Sequence, residues 1–261
     1  MRLEIARVAS IGVYDALPAF YRLRVVAPLM AANIKPGRFV RVNIETDYVH
    51  RPFFPIMFEK EGFSLLLPPD SPLRQLVPGD ELECIGPRGK GFKLPPTDQN
   101  LLLLAQAGGF GLAEQQNGVT FLLPLIDQAL AARRNVLLLH EAPSAAQLFP
   151  PWGLPPGVEV RLFTHDGSLG QKGTALDALP ELAQWADQVY AVGALEWYTA
   201  LVRGLEEHRL RMRNKLAWGL AIPDVVPCGA GVCGGCAIET RRGYRLCCTQ
   251  GPVFDLNRDF D

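Results

Sequence analysis

The alternation of hydrophobic and polar positions changes character twice along the chain. Up to about residue 96, short apolar and β-branched runs recur at 21–26, 39–44, 63–67 and 81–85. Turn-forming segments separate them: Lys35-Pro36-Gly37, Pro68-Pro69-Asp70 and Val77-Pro78-Gly79-Asp80. Proline presets φ and glycine tolerates positive φ, so such clusters reverse the chain. Short strands at this spacing predict a β-barrel or sandwich. Pro95-Pro96 reads as a linker. Beyond it, 101–105 is apolar without interruption, as in a strand buried on both faces. A glycine-rich turn, Gly108-Gly109-Phe110-Gly111, comes next, followed by a helical stretch ending near Ala132-Arg133-Arg134. Further strands are expected at 136–140, 158–164 and 189–192, with helix-like segments after most of them. Strands alternating with helices predict a parallel sheet with helices on both faces. The pattern divides the chain into a β-barrel over 1–96, an α/β domain over 97–222 and a small domain over 223–261. The last is glycine- and cysteine-rich and too short to bury a core, so a metal centre is expected to hold it together.

Composition narrows the function. Apolar residues make up 48% of the 261 and charged residues 20%, ordinary for a globular chain. The net charge of −1 provides no broad field for nucleic acid or an anionic membrane. Apolar runs are far too short to span a bilayer, and Met1-Arg2-Leu3-Glu4-Ile5 has no apolar signal core. The expectation is a cytoplasmic protein that binds neither nucleic acid nor membrane. Of six cysteines, Cys228, Cys233, Cys236, Cys247 and Cys248 fall within 21 residues, and Cys84 stands alone in a strand-like run as an expected buried thiol. Local clustering points to a metal site rather than a disulfide framework.

The spacing of Cys228, Cys233, Cys236 and Cys248 is C-x4-C-x2-C-x11-C. A C-x4-C-x2-C core with a distant fourth cysteine is the plant-type [2Fe–2S] arrangement. A loop wrapped around such a cluster must turn backbone N–H groups toward sulfur, and Gly229, Gly231, Gly234 and Gly235 supply the freedom to do so. Zinc sites instead pair two C-x2-4-C arms, and the sequence offers one such arm beside the adjacent Cys247 and Cys248. Spacing alone leaves open which of those two is the fourth ligand.

The tail Cys248-Thr249-Gln250-Gly251-Pro252-Val253-Phe254 resembles the cluster domain of dihydroorotate dehydrogenase electron-transfer subunits, which closes on Cys-x-x-Gly-Pro-Val-Phe. The resemblance implies Cys248 as the fourth ligand and Cys247 as a spare. It extends over nearly the whole chain and implies a ferredoxin-reductase-like fold: an FAD-binding barrel, an NAD-binding α/β domain and a [2Fe–2S] domain. The implied activity is electron transfer between NAD(H) and a catalytic FMN flavoprotein, most simply dihydroorotate dehydrogenase, with no residue acting as acid or base. Related subunits serve hydrogenases, transhydrogenases and glutamate synthases.

The same resemblance implies the cofactor contacts. Arg51, Pro52 and Phe53 match the start of an Arg-Pro-x-Ser-Ile segment that lies against flavin. Gly89, Lys90, Gly91 and Phe92 match a Gly-Pro-x-Gly-x-Gly-Phe loop beginning at Gly86. Gly108, Gly109 and Gly111 match a nucleotide loop, and Asp166, Gly167 and Ser168 match a Thr-x-Asp-Gly-Ser-x-Gly-x-x-Gly segment associated with the nicotinamide nucleotide. Four departures weaken FAD and NAD(H) binding. Phe54 replaces the flavin-binding serine. Pro68-Pro69-Asp70 fills the slot of a Gly-x-Gly-Thr phosphate loop. An insertion is expected over 114–123, with Glu114 near the pyrophosphate, and Val192 replaces a cysteine beside the nicotinamide. They motivate the alternative of a flavin- and NAD-free iron–sulfur docking module. His50, His140, His165 and His208 are scattered, and no catalytic role is expected of them.

Overall fold

The structure is a computed structural model describing residues 2–43, 51–108, 117–208, 217–221, 223 and 225–260. The first sheet comprises β1 (Arg2–Tyr14), β2 (Leu17–Val26), β3 (Phe39–Val42), β4 (Pro52–Phe53), β5 (Pro55–Phe58), β6 (Gly62–Leu67) and β7 (Glu81–Arg88), with helix α1 (Pro28–Ala31) between β2 and β3. Its order is β4-β3-β7-β1-β2-β6-β5, every neighbouring pair antiparallel. Phe54 alone separates β4 from β5 in sequence, although they are the two edges of the sheet. The sheet therefore curls until its edges meet. Inside lie Val8, Leu23, Val25, Val40, Leu65 and Leu82, with Met30 of α1 closing one end.

The second sheet holds β8 (Asn100–Gln106), β9 (Asn135–Ala142), β10 (Val158–Thr164), β11 (Gln171–Lys172), β12 (Gln188–Val192) and β13 (Ala217–Leu220). β14 (Ala237–Ile238) and β15 (Arg245–Leu246) form a small ribbon in the cysteine-rich segment, and β16 (Val253–Asp255) returns to the second sheet. The order is β11-β10-β9-β8-β12-β13-β16, parallel except for β16 against β13. The segment expected to be a separate domain from 223 onward thus contributes the edge strand of the preceding sheet. Chain order reverses between β8 and β12, so the crevice at their C-terminal ends is the ligand position of open α/β sheets.

Helix α2 (Gly118–Ala131) covers β8, β9 and β12 and also touches β5 of the barrel. On the other side of the switch point come α3 (Leu179–Leu182), α4 (Leu195–His208) and α5 (Leu256–Asp259), with α4 packed against both short helices. The buried residues of α4 are Trp197, Tyr198, Leu201, Val202 and Leu205, one stripe at helical spacing. After β9 the chain forms two single 3-10 turns, Ala145–Gln147 and Pro151–Gly153, rather than a helix. Five prolines between 143 and 156 explain it, since each removes an N–H that a helix would use. No described helix is long and apolar enough to cross a membrane.

Candidate iron–sulfur centre and nucleotide crevice

The loop from Cys228 to Cys236 is held by backbone-to-sulfur bonds. Ala230 N–H donates to Cys228 Sγ at 3.3 Å and Gly235 N–H to Cys233 Sγ at 3.4 Å. Gly229, Gly231 and Gly234 take φ of +61°, +83° and +74°, the left-handed region that L side chains avoid. Gly235 serves differently: a Cβ there would meet the Pro227 ring at 2.8 Å. The sulfurs are arranged in two pairs. The Ala230 N–H and then the Cys233 thiol lower the Cys228 pKa to about 6. Burial and then the Cys236 thiol raise that of Cys248 to about 11, against a bond from the Gly231 amide. The Cys228/Cys233 pair lies toward solvent, and Cys236 and Cys248 are buried.

These residues fit a two-iron cluster. Each iron requires two thiolates, and the loop provides two pairs with amides aimed at sulfur. Among the described residues no three His, Cys, Asp or Glu side chains are gathered around one point for a single metal ion. Burial holds the Cys248 thiol in its protonated form, and because a metal ligand must be deprotonated, loading would release that proton. Cys247 is fully buried beside them, and burial raises its pKa further than that of its neighbour.

The residues expected at flavin divide into an exposed and a packed group. Arg51 is exposed, while Pro52 and Phe53 are half-buried in β4. Phe54 is buried, its ring centroid 5.6 Å from Phe39 and 5.3 Å from Phe121. It joins barrel to α2 where the family's serine would face flavin. Pro69 and Asp70 are exposed, and the Pro69 carbonyl accepts from Arg74, whose guanidinium lies 4.0 Å over the Tyr21 ring. In the glycine loop, Gly89 N–H donates to the Cys248 carbonyl at 3.1 Å and Lys90 N–H to the Gly251 carbonyl at 2.5 Å. Phe92 is buried, edge-on to Tyr190 with centroids 5.5 Å apart. The loop is thus the seam between barrel, sheet and cluster segment. Lys90 and Gly91 also line a cleft of about 980 Å³ together with Lys35, Arg38 and Lys93.

At the nucleotide crevice, Gly108 has φ of +74°. Gly109, Gly111 and Glu114 lie outside the described residues. Residues 118–123, expected within an insertion, form the first turns of α2, with Pro124 inside the helix. Gly118 allows the close approach: a Cβ there would meet the Gln106 carbonyl at 2.6 Å and that of Val192 at 2.9 Å. Asn117 caps the helix, its Oδ1 accepting from Val119 N–H at 3.1 Å and its Nδ2 donating to the Gln147 carbonyl at 2.9 Å. The first amides of α2 are engaged from within the chain. His140 Nε2 accepts from Phe149 N–H at 2.8 Å, and Nδ1 lies 3.0 Å from the Ala105 carbonyl, which fixes a neutral ring protonated at Nδ1. Burial lowers its pKa to about 4. Buried Glu141 accepts from Gln106 at 3.1 Å and from Ala175 N–H at 2.9 Å, and lies 3.0 Å from His165 Nε2. Asp166, Gly167 and Ser168 form a tight turn in which Asp166 accepts from the Ser168 amide at 2.9 Å and from its hydroxyl at 2.6 Å. Those bonds lower the Asp166 pKa. Val192 is fully buried at the end of β12.

Two residues at the cluster escaped the sequence reading. Arg41 Nη1 donates to the Cys228 carbonyl at 3.2 Å, and Arg88 flanks Gly229. Arg88 occupies one of the two variable positions of the glycine loop, and no local pattern marks Arg41.

Residues 224–258 match the family model described as the iron–sulfur cluster binding domain of dihydroorotate dehydrogenase B. The electron transfer subunit of dihydroorotate dehydrogenase B (NAD(+)) from Caldanaerobacter subterraneus subsp. tengcongensis is 28% identical over 229 residues, covering 84% of each chain. The protein of the same name from Streptococcus mutans is 26% identical over 251 residues, covering 88% of each. A solved NADH-dependent reduced ferredoxin-NADP oxidoreductase superposes with a TM-score of 0.73 at 17% identity, covering 99% of this chain and 90% of that one. The chain is therefore similar over most of its length to the dihydroorotate dehydrogenase B electron-transfer subunits, matches their iron–sulfur binding domain model at 224–258, and has a ferredoxin-reductase-like fold.

Proposed function

We propose that this chain is a cytoplasmic electron-transfer subunit that carries a [2Fe–2S] cluster on Cys228, Cys233, Cys236 and Cys248. It passes single electrons to or from a catalytic FMN flavoprotein of the dihydroorotate dehydrogenase type. The observation that carries the reading is the Cys228–Cys236 loop, which turns the Ala230 and Gly235 amides onto the Cys228 and Cys233 sulfurs at 3.3 and 3.4 Å, with Cys236 and Cys248 buried. Val232, between Gly231 and Cys233, is 83% exposed and offers an apolar contact at the solvent-facing pair. FAD is the partner on the barrel side, held weakly because Phe54 and the Pro68-Pro69 pair replace polar contacts with packing and remove amide donors.

Protein purified without oxygen is expected to contain about two irons and two sulfides per chain. Cys248→Ser should abolish loading and Cys247→Ser should retain it. Zinc in place of iron would overturn the cluster, and the opposite result for the two serine variants would exchange the ligand. A second reading, an iron–sulfur docking module without flavin or NAD, is favoured by the packing of Phe54 against Phe39 and Phe121. Stoichiometric FAD surviving gel filtration would exclude it.

A further inference from the structure

The barrel reaches into the cluster loop with two arginines. Arg41 lies in β3 and Arg88 ends β7, the neighbouring strand, where it pairs with Phe39. A Cβ built on Gly229 would lie 3.3 Å from Arg41 Cδ, 3.8 Å from Arg88 Nε and 3.9 Å from Arg41 Nη1. Both guanidinium groups therefore flank the residue after Cys228. The Nε atoms of both are buried, with no hydrogen-bond partner among the described residues. A buried donor left without an acceptor costs free energy, and both of these belong to side chains that flank Gly229, the residue after Cys228. The carboxylate facing Arg41 is Glu83. Glu83 in turn accepts from Asn43 at 3.3 Å.

We propose that Arg41 and Arg88 are positioning residues that raise the reduction potential of the cluster and bias the added electron toward the iron bound by Cys228 and Cys233. The inference rests on the electron-transfer reading above. Reduction adds one electron and takes one iron from ferric to ferrous; no bond is made or broken, and the centre becomes one unit more negative. Positive charge close by stabilises the more negative state more strongly than the less negative one. Both arginines flank Gly229, next to Cys228 of the less buried cysteine pair, so the added electron is favoured on the side where a partner can accept it.

The test is a dithionite titration of the full chain, purified without oxygen and followed by electron paramagnetic resonance, with iron and sulfide assayed in parallel. Arg41→Gln and Arg88→Gln should each lower the midpoint potential, and the double variant should lower it further. Arg41→Lys and Arg88→Lys should recover most of the difference, because they keep the charge. Wild-type potentials in both glutamine variants at full iron content would overturn the inference. Lysine variants that fall as far as the glutamine ones would do the same. Should Arg41→Gln fail to fold or load, Arg88→Gln and Arg88→Lys decide alone. Absence of iron from the wild-type protein would instead sink the electron-transfer reading.

Discussion

His140 shows how a single side chain couples the crevice to pH. Its ring is locked neutral by three bonds from neighbouring elements, and burial presses its pKa from 6.5 to about 4. The unfolded chain takes up this proton as pH falls below about 6.5, while the folded chain resists until about 4. The folded state thus binds fewer protons across that window, and stability declines as the solution is acidified through it. At full extent the loss is roughly 3 kcal/mol for a shift of this size. Urea midpoints measured from pH 7 to 4.5 should fall in the wild type, and His140→Gln should flatten the slope. Identical slopes would show that other groups govern the acid response. The adjacent thiols Cys247 and Cys248 are both buried and both lie near Cys236, and Cys248 also meets the Gly231 amide. The sequence could not separate them on spacing, because adjacency says nothing about which side chain faces the loop.

Among the elements, the junction of barrel and α2 turns on Phe54. Truncating a buried aromatic of this kind leaves a cavity, and Phe54→Ala should cost about 3–5 kcal/mol, read as a lowered denaturant midpoint with an unchanged m-value. A loss under about 1 kcal/mol would mean that Phe39 and Phe121 close the gap by themselves. The strands β8, β9 and β12 were legible because burial on both faces leaves a continuous apolar run. β1 was not, because its pattern is inverted. Leu3 and Ile5 point outward at 57% and 52% exposure, while Glu4 is buried and accepts the Leu29 and Met30 amides of α1 at 3.0 and 2.7 Å. The cysteine ligands were legible from local spacing. Arg41 was not, since the residues it joins lie 187 positions apart and only the fold brings them together.

Across the whole molecule, one apolar core runs from Phe20 and Phe54 of the barrel through the second sheet to Cys236, Cys247 and Cys248. In the described part of the crevice, the groups that would meet a dinucleotide are already engaged within the chain. Asn117 occupies the start of α2, and Gln106 accepts the Ala194 amide at 3.0 Å beside the buried Val192. The isolated chain should therefore be reduced slowly by NADH or NADPH, while dithionite bleaches its cluster at once. Stopped-flow bleaching by stoichiometric NADH within about a second, fast on the scale of ordinary turnover, would restore a conventional NAD-linked role. The return of β16 to the second sheet carries a different consequence, one of timing. β13 has β12 on one side and β16 on the other, and β16 follows every other strand in sequence. A ribosome delivers the chain from its N-terminus, so during synthesis β13 waits as a bare, pairing-competent edge until 253–255 emerge. The cysteines come off the ribosome ahead of that strand, and iron insertion and closure of the sheet thereby become neighbouring events in synthesis.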